Sequence, residues 1–224
     1  NNNSVAELLK NTDVLFTQED SMSNISDFFP SLAIAGSSGE SIYEKVSVYS
    51  KTPIISTSYS SDQFNDLAKR NVVFSVMNGL KIANLHLSGG RFDDKKIKDN
   101  LDNIEFIKNY LSFKLDPLKY AINVEADIIL GDFNSVFASS EEVKTQFYES
   151  QYAYFTGLIE RELSEDEKKV IREINQAPYD LLIENNYIYA APRNEEQAVT
   201  NYSGSTIIDT IWYKKDRVSV EDTE

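Results

Sequence analysis

The chain has 224 residues, 41% of them hydrophobic and 26% charged, a balance that excludes wholesale disorder and leaves enough length for a well-buried core. Its formal net charge of −14 argues against a broad electrostatic grip on DNA or RNA, because such binding draws most of its affinity from Lys and Arg neutralising phosphates. The absence of cysteine removes disulfides, thiolate zinc sites and cysteine nucleophiles, and with His86 as the one histidine, any metal must be held chiefly by oxygen.

In chain order, residues 5–10 read as helical. The apolar run Val14-Leu15-Phe16, closed by polar Gln18-Glu19-Asp20, reads as a buried strand ending at a surface. Residues 32–35 and 42–49 offer two more strands. Residues 72–77 and 80–87 flank Asn78-Gly79, a pair that favours a type I′ turn and therefore a hairpin. From 93 to 113 the apolar positions Ile97, Leu101, Ile104, Ile107 and Leu111 recur at helical steps, which predicts one amphipathic helix. Residues 127–130 form another buried strand, ended by Gly131-Asp132-Phe133-Asn134. A helix starts near Glu141. Ser164 with Glu167 makes a capping box for a helix running to about Asn175, and Pro178 permits a short restart over 179–184. Residues 206–213 close the series as a strand. Strands and helices alternate loosely with hairpins among them, which predicts sheets covered by helices in one domain over 1–224. No apolar stretch reaches the roughly 20 residues that span a bilayer, and the start Asn1-Asn2-Asn3 is unlike a signal peptide. The chain reads as soluble and intracellular; it opens without Met, as a trimmed or excised stretch would.

Three strands end in polar clusters: Gln18-Glu19, Asn84 with His86, and Asp132 with Asn134. Ligand sites commonly form at strand ends on one rim of a sheet. Two carboxylates, an imidazole and an amide gathered there would hold a hard divalent cation, activate a water and contact a phosphate. Arg91, after Ser88-Gly89-Gly90, could reach a substrate phosphate or be a surface arginine beside a turn. Residues 202–205, Tyr-Ser-Gly-Ser, precede the last strand and are a weaker candidate for substrate contact. Trp212 and the tyrosines read as packing, and the charged runs 93–98 and 160–167 as solvated helix faces.

The succession Thr17-Gln18-Glu19-Asp20, Asn84-Leu85-His86-Leu87, Leu130-Gly131-Asp132-Phe133-Asn134-Ser135 and Ile208-Asp209-Thr210-Ile211 resembles the endonuclease/exonuclease/phosphatase superfamily, whose founding fold is that of deoxyribonuclease I. The resemblance covers about residues 5–213, and Gly-Asp-Phe-Asn is its most specific motif. It implies a four-layered α/β sandwich of two facing mixed sheets with the site at one edge. It further implies that Glu19 binds Mg²⁺ or Mn²⁺, that Asp132 orients or deprotonates the attacking water, and that Asn134 fixes the nucleophile and a phosphate oxygen. His86 would donate to the phosphoryl oxygen, Asn84 would contact substrate, and Asp209 matches the aspartate that orients a second histidine. That histidine, carried by a Ser-Asp-His motif on the family's last strand, and the family's opening asparagine strand are both missing, so the resemblance implies weak or no catalysis by these 224 residues. The function implied is metal-dependent phosphoester hydrolysis, with nucleic acid the first substrate. The alternatives are a catalytically silent binding or structural module, and a phosphatase or phosphodiesterase of inositol phosphates or phospholipid headgroups.

Overall fold

In chain order the elements are α1 (Asn2–Asn11), β1 (Val14–Gln18), β2 (Ser31–Ala35), β3 (Val46–Ser50), β4 (Ile55–Ser60), β5 (Asn71–Met77), β6 (Leu80–His86), α2 (Gly90–Lys98), α3 (Ile104–Asn123), β7 (Ile128–Asp132), α4 (Glu141–Ile159), α5 (Glu165–Glu184), β8 (Tyr187–Tyr189) and β9 (Asp209–Lys214). The structure is a computed structural model that describes residues 2–19, 25, 27–35, 45–192, 194, 200 and 207–219, with the backbone alone described for 2–6 and 90–92. The strands form a three-stranded antiparallel sheet in the order β1-β3-β2 and a six-stranded mixed sheet in the order β4-β5-β6-β7-β9-β8. In the larger sheet β6 and β7 run parallel, and the other neighbours are antiparallel.

Period-two alternation decides which side chains go where. Ala33, Val46 and Val48 of the small sheet meet Val73, Met77 and Ile82 of the large one, which fills the space between the sheets. The alternate residues Val72, Ala83, Leu85, Ile129 and Trp212 face the other way and pack under Leu118 and Ala121 of α3 and Tyr179 and Leu182 of α5. On the far side of the small sheet, Leu9 of α1 joins Phe29 and Tyr49. The result is helix, sheet, sheet, helices: the four-layered sandwich implied by the motifs.

The expected hairpin forms, and Asn78 and Gly79 take φ of 51° and 81°, both positive as a type I′ turn requires. The capping box also forms. Ser164 Oγ accepts from Glu167 N at 3.2 Å, Glu167 Oε2 accepts from Ser164 N at 2.8 Å, and Arg161 pairs with the same carboxylate at 2.6 Å.

Four expectations are corrected. Residues 93–113 are two helices rather than one: the chain turns at 99–103, where Asn103 caps α3 by accepting from Phe106 N at 3.1 Å, and Ile104 is left exposed. Asn100, Asp102 and Asn103 favour a turn through their own side-chain hydrogen bonds, and the apolar steps simply continue across it. Helix α3 then runs past Phe113 and through Pro117 to Asn123. Helix α5 likewise passes unbroken through Pro178, because Ile171 and Ile174 before it and Tyr179 and Leu182 after it are all buried, and this packing outweighs the missing amide hydrogen bond. Strands β4 and β8 add two members that the pattern did not signal, β4 because its residues are almost all exposed and β8 because it is three residues long. Residues 42–44 and 206 of two expected strands lie outside the described residues.

Candidate active site

The parallel pairing of β6 and β7 brings two C-terminal strand ends to one rim, with His86 opposite Asp132 in register. Strand β9 is antiparallel to β7, so its first residue, Asp209, lies opposite Asp132 at the same rim. Counting back by twos, Asn84 and His86 share the face turned toward the small sheet with Ile82, and Asp132 shares it with Leu130. From the small sheet β1 ends there too, and Glu19 follows it with φ 53° and a half-exposed carboxylate.

His86 is buried, and its Nε2 lies 3.0 Å from Asn134 Nδ2, 3.6 Å from Asp132 Oδ2 and 4.0 Å from Glu19 Oε1. The four side chains singled out from distant parts of the sequence therefore converge. Asn134 Nδ2 also donates to the Leu87 carbonyl at 3.0 Å, which fixes the orientation of the amide: its NH2 faces the imidazole, so Nε2 accepts, an arrangement that in a neutral ring leaves the proton on Nδ1. The Gly-Asp-Phe-Asn turn supports this geometry. Asp132 Oδ1 accepts from Asn134 N at 2.7 Å, while Phe133 points inward with its ring 5.8 Å from that of Tyr179.

Burial first, and neighbouring charge at Asp132 and Asp209, raises the proton affinity of the rim carboxylates. Asp132 is pushed up to about 7, first by burial and then by Asp209 and Glu19, against the pull of the Asn134 amide and Lys114. Asp209 is shifted upward by desolvation and by Glu19, with Thr200 pulling it back; its exposure to water softens the effect. Glu19 is raised by burial, with Arg70 opposing. Such a cluster favours a cation. Among the described residues no three His, Asp or Glu groups close up into a cage for a metal ion. A single carboxylate such as Glu19, with water and substrate phosphate completing the shell, is nevertheless a common way of holding Mg²⁺, and the half-exposed Glu19 fits that mode.

Asn84 departs from the role expected of it. It is fully buried, gives its amide hydrogens to Thr17 O at 3.1 Å and Ser47 O at 2.9 Å, and accepts from Gln18 Nε2, so it ties the sheets together and keeps no donor for a substrate. The Arg91 side chain and residues 202–205 lie outside the described residues. Asp93, read as part of a solvated face, is instead buried: its carboxylate accepts from Ser88 Oγ and from Tyr110 OH at 3.0 Å, with Arg70 3.9 Å away. Sequence reasoning also passed over Lys114, wholly buried on α3, whose ammonium donates to Ser88 O at 2.6 Å and Asn134 O at 2.8 Å. The signal was present: Lys114 is seven residues after Ile107 and four before Leu118, on the stripe that helical periodicity assigns to the core.

The fold and rim thus define a four-layered α/β sandwich carrying a carboxylate–imidazole–amide cluster where its two sheets meet. No protein-family model matches the sequence, and no curated protein matches it. Among solved structures the chain is similar to the 3'-5' exonuclease NExo from Neisseria meningitidis, at 15% identity and a TM-score of 0.49, covering 96% of this chain and 82% of that one. It is similar to SmcL, at 13% and 0.48 with 96% and 75% covered, and to the human Nocturnin catalytic domain, at 11% and 0.45 with 95% and 73% covered. Likeness at this level carries no argument about chemistry, which rests on the residues of this chain.

Proposed function

We propose that this rim is the site of a metal-dependent phosphoesterase that hydrolyses a phosphodiester or phosphomonoester by in-line attack of water, with nucleic acid the first substrate class. The observation that supports it is the convergence of Glu19, Asp132 and Asn134 on Nε2 of His86. Asp132, pushed up to about 7, is basic enough to take a proton from an attacking water near neutral pH, and its fixed Oδ1 leaves Oδ2 for that task. Asn134 holds its amide NH2 beside the imidazole, at the rim where a phosphate oxygen would approach. His86, whose Nε2 lies 3.6 Å from Asp132 and 4.0 Å from Glu19, donates from that nitrogen to the phosphoryl oxygen when it carries a proton. Mg²⁺ or Mn²⁺ held at Glu19 would supply positive charge against the phosphate and ease ionisation of water.

A second reading, a silent member that has kept the sandwich as a binding module, is favoured by the single histidine and by the lack of a three-group metal cage among the described residues. A substrate panel run on the full-length protein with and without Mg²⁺ separates the readings. Cleavage of plasmid or oligonucleotide that needs Mg²⁺ and is abolished by Asp132→Asn is expected. Turnover confined to inositol phosphates or phospholipid headgroup esters would move the assignment to a phosphatase of those compounds, and inertness toward the whole panel would leave the binding module.

A further inference from the structure

We propose that Lys114 and Gly89 together form a clamp that fixes Asn134 and, through it, the pairing of Asn134 with His86. Neither residue touches a reacting atom, so both are positioning residues. From α3, the Lys114 ammonium donates to the carbonyls of Ser88 and Asn134, one on the loop leaving β6 and the other on the loop leaving β7. Gly89 also backs directly onto Asn134, and a Cβ there would lie 2.4 Å from Asn134 Cβ and 3.1 Å from both Cγ and the carbonyl oxygen. With these two contacts Asn134 sits at φ 45°, in the left-handed region that asparagine enters more readily than other residues with a side chain. In that conformation its Nδ2 reaches both Leu87 O and His86 Nε2.

The surroundings of Lys114 point the same way. A wholly buried ammonium is a poor choice for stability alone, since an apolar side chain of the same length would pack at that position without losing hydration. Burial pulls Lys114 down to about 8; Asp93, Asp132 and Asp94 hold it up, and Arg70 opposes them. It therefore carries its charge at neutral pH, with three donors to offer to carbonyls. Two of these go to the loops that leave β6 and β7. Asp93, whose charge bears on Lys114, is itself held by Ser88 Oγ and Tyr110 OH, so the clamp is anchored in a connected buried network through Ser88.

What the pairing is used for rests on the phosphoesterase reading, but the positioning can be measured without turnover. His86 is the only histidine, so the long-range 1H–15N spectrum of the protein reports one imidazole. The wild type is expected to show Nε2 as a hydrogen-bond acceptor with the proton on Nδ1. In Lys114→Met, which keeps the length and removes the ammonium, that signature should be lost. In Lys114→Cys, alkylated with an aminoethyl group while unfolded and then refolded, it should return, and the lack of native cysteine confines the modification to this position. Gly89→Ala, which leaves every charge in place, should also abolish the signature. Where the protein turns over substrate, kcat in each clamp variant is expected to fall by about 100-fold with KM little changed. A cooperatively folded Lys114→Met protein with the wild-type imidazole spectrum overturns the clamp. If that variant does not fold, an unchanged spectrum in Gly89→Ala overturns it instead. An inactive wild type that shows the expected spectral changes would sink the phosphoesterase reading and leave the clamp standing.

Discussion

Asp132 holds its proton to about 7 because it is buried beside Asp209 and Glu19, and that has a consequence for folding as well as for chemistry. Its folded value lies above the ordinary aspartate range, so the folded state binds a proton that the unfolded chain has released. Its contribution to stability is therefore complete below the unfolded value and is lost as pH rises through about 7. Asp132→Asn keeps an oxygen to accept from Asn134 N and removes the charge. Discounting for the sharing of this shift with Asp209, the variant should be more stable than the wild type by about 2 kcal/mol under mildly alkaline conditions. Thermal unfolding should then show a midpoint raised by roughly 5 °C in alkaline buffer and no difference in acid, below the unfolded carboxylate's range. A variant that melts lower than the wild type in alkali would mean that the carboxylate finds compensating partners in the fold. Activity lost and stability gained in one substitution is the pattern of a site that holds charges together for function. At this scale Glu19, His86, Asp132 and Asn134 were legible in the sequence because each closes an apolar strand with a group that has no reason to sit in a core. Lys114 was not, because a lysine within a helical pattern reads as a solvent-facing residue whose stem covers the edge of the core.

The strand ends are aligned by the way β6 and β7 approach, and Gly131 sets how closely they do so. It takes φ 137° opposite Leu85, and a Cβ built there would lie 1.9 Å from the Leu85 carbonyl oxygen. The first residue of the Gly-Asp-Phe-Asn motif is thus required by packing between strands, and the second and fourth face the site. Gly131→Ala should force the pair apart, costing about 3 kcal/mol and lowering the thermal midpoint by roughly 10 °C. Because the strands move at the point where His86 and Asp132 are in register, the imidazole resonances should shift in whatever fraction remains folded. A variant with wild-type stability would show that the approach is softer than the backbone geometry implies. Elements with a strong local signature were readable in the sequence: the Asn-Gly hairpin, the Ser164–Glu167 box and the buried runs of β1 and β7. The break at 99–103 was not, since Leu101 is buried in the connection and kept the apolar period intact across it. Nor was β4, whose Ser-Thr-Ser-Tyr-Ser stretch shows no apolar alternation because the strand lies at the edge of its sheet with little to cover it.

Across the whole molecule, the candidate site exists because two separate sheets are locked at one rim. Glu19 comes from the end of the small sheet, and His86, Asp132 and Asp209 come from the large one, so the distance from carboxylate to imidazole depends on how the sheets are registered against each other. Apolar packing between Val46, Val48, Val73 and Ile82 holds the sheets together but sets no unique offset, because such contacts tolerate sliding. Directional bonds fix an offset. Asn84 supplies them near the site: from β6 it donates to Thr17 O on β1 and Ser47 O on β3, and it accepts from Gln18, the residue before Glu19. Asn84→Ala should therefore act twice. It leaves buried polar groups on both strands unpaired, at a cost of about 3 kcal/mol, which thermal unfolding would read as a midpoint lowered by roughly 10 °C. It also frees the end of β1, so the proposed Mg²⁺ affinity, measured by titration calorimetry well below the melting range, should weaken by about tenfold. Unchanged Mg²⁺ affinity alongside the lowered midpoint would show that Asn84 only joins the sheets. If both fall, the position of Glu19 at the rim is set by a hydrogen bond made one residue earlier, inside the sandwich.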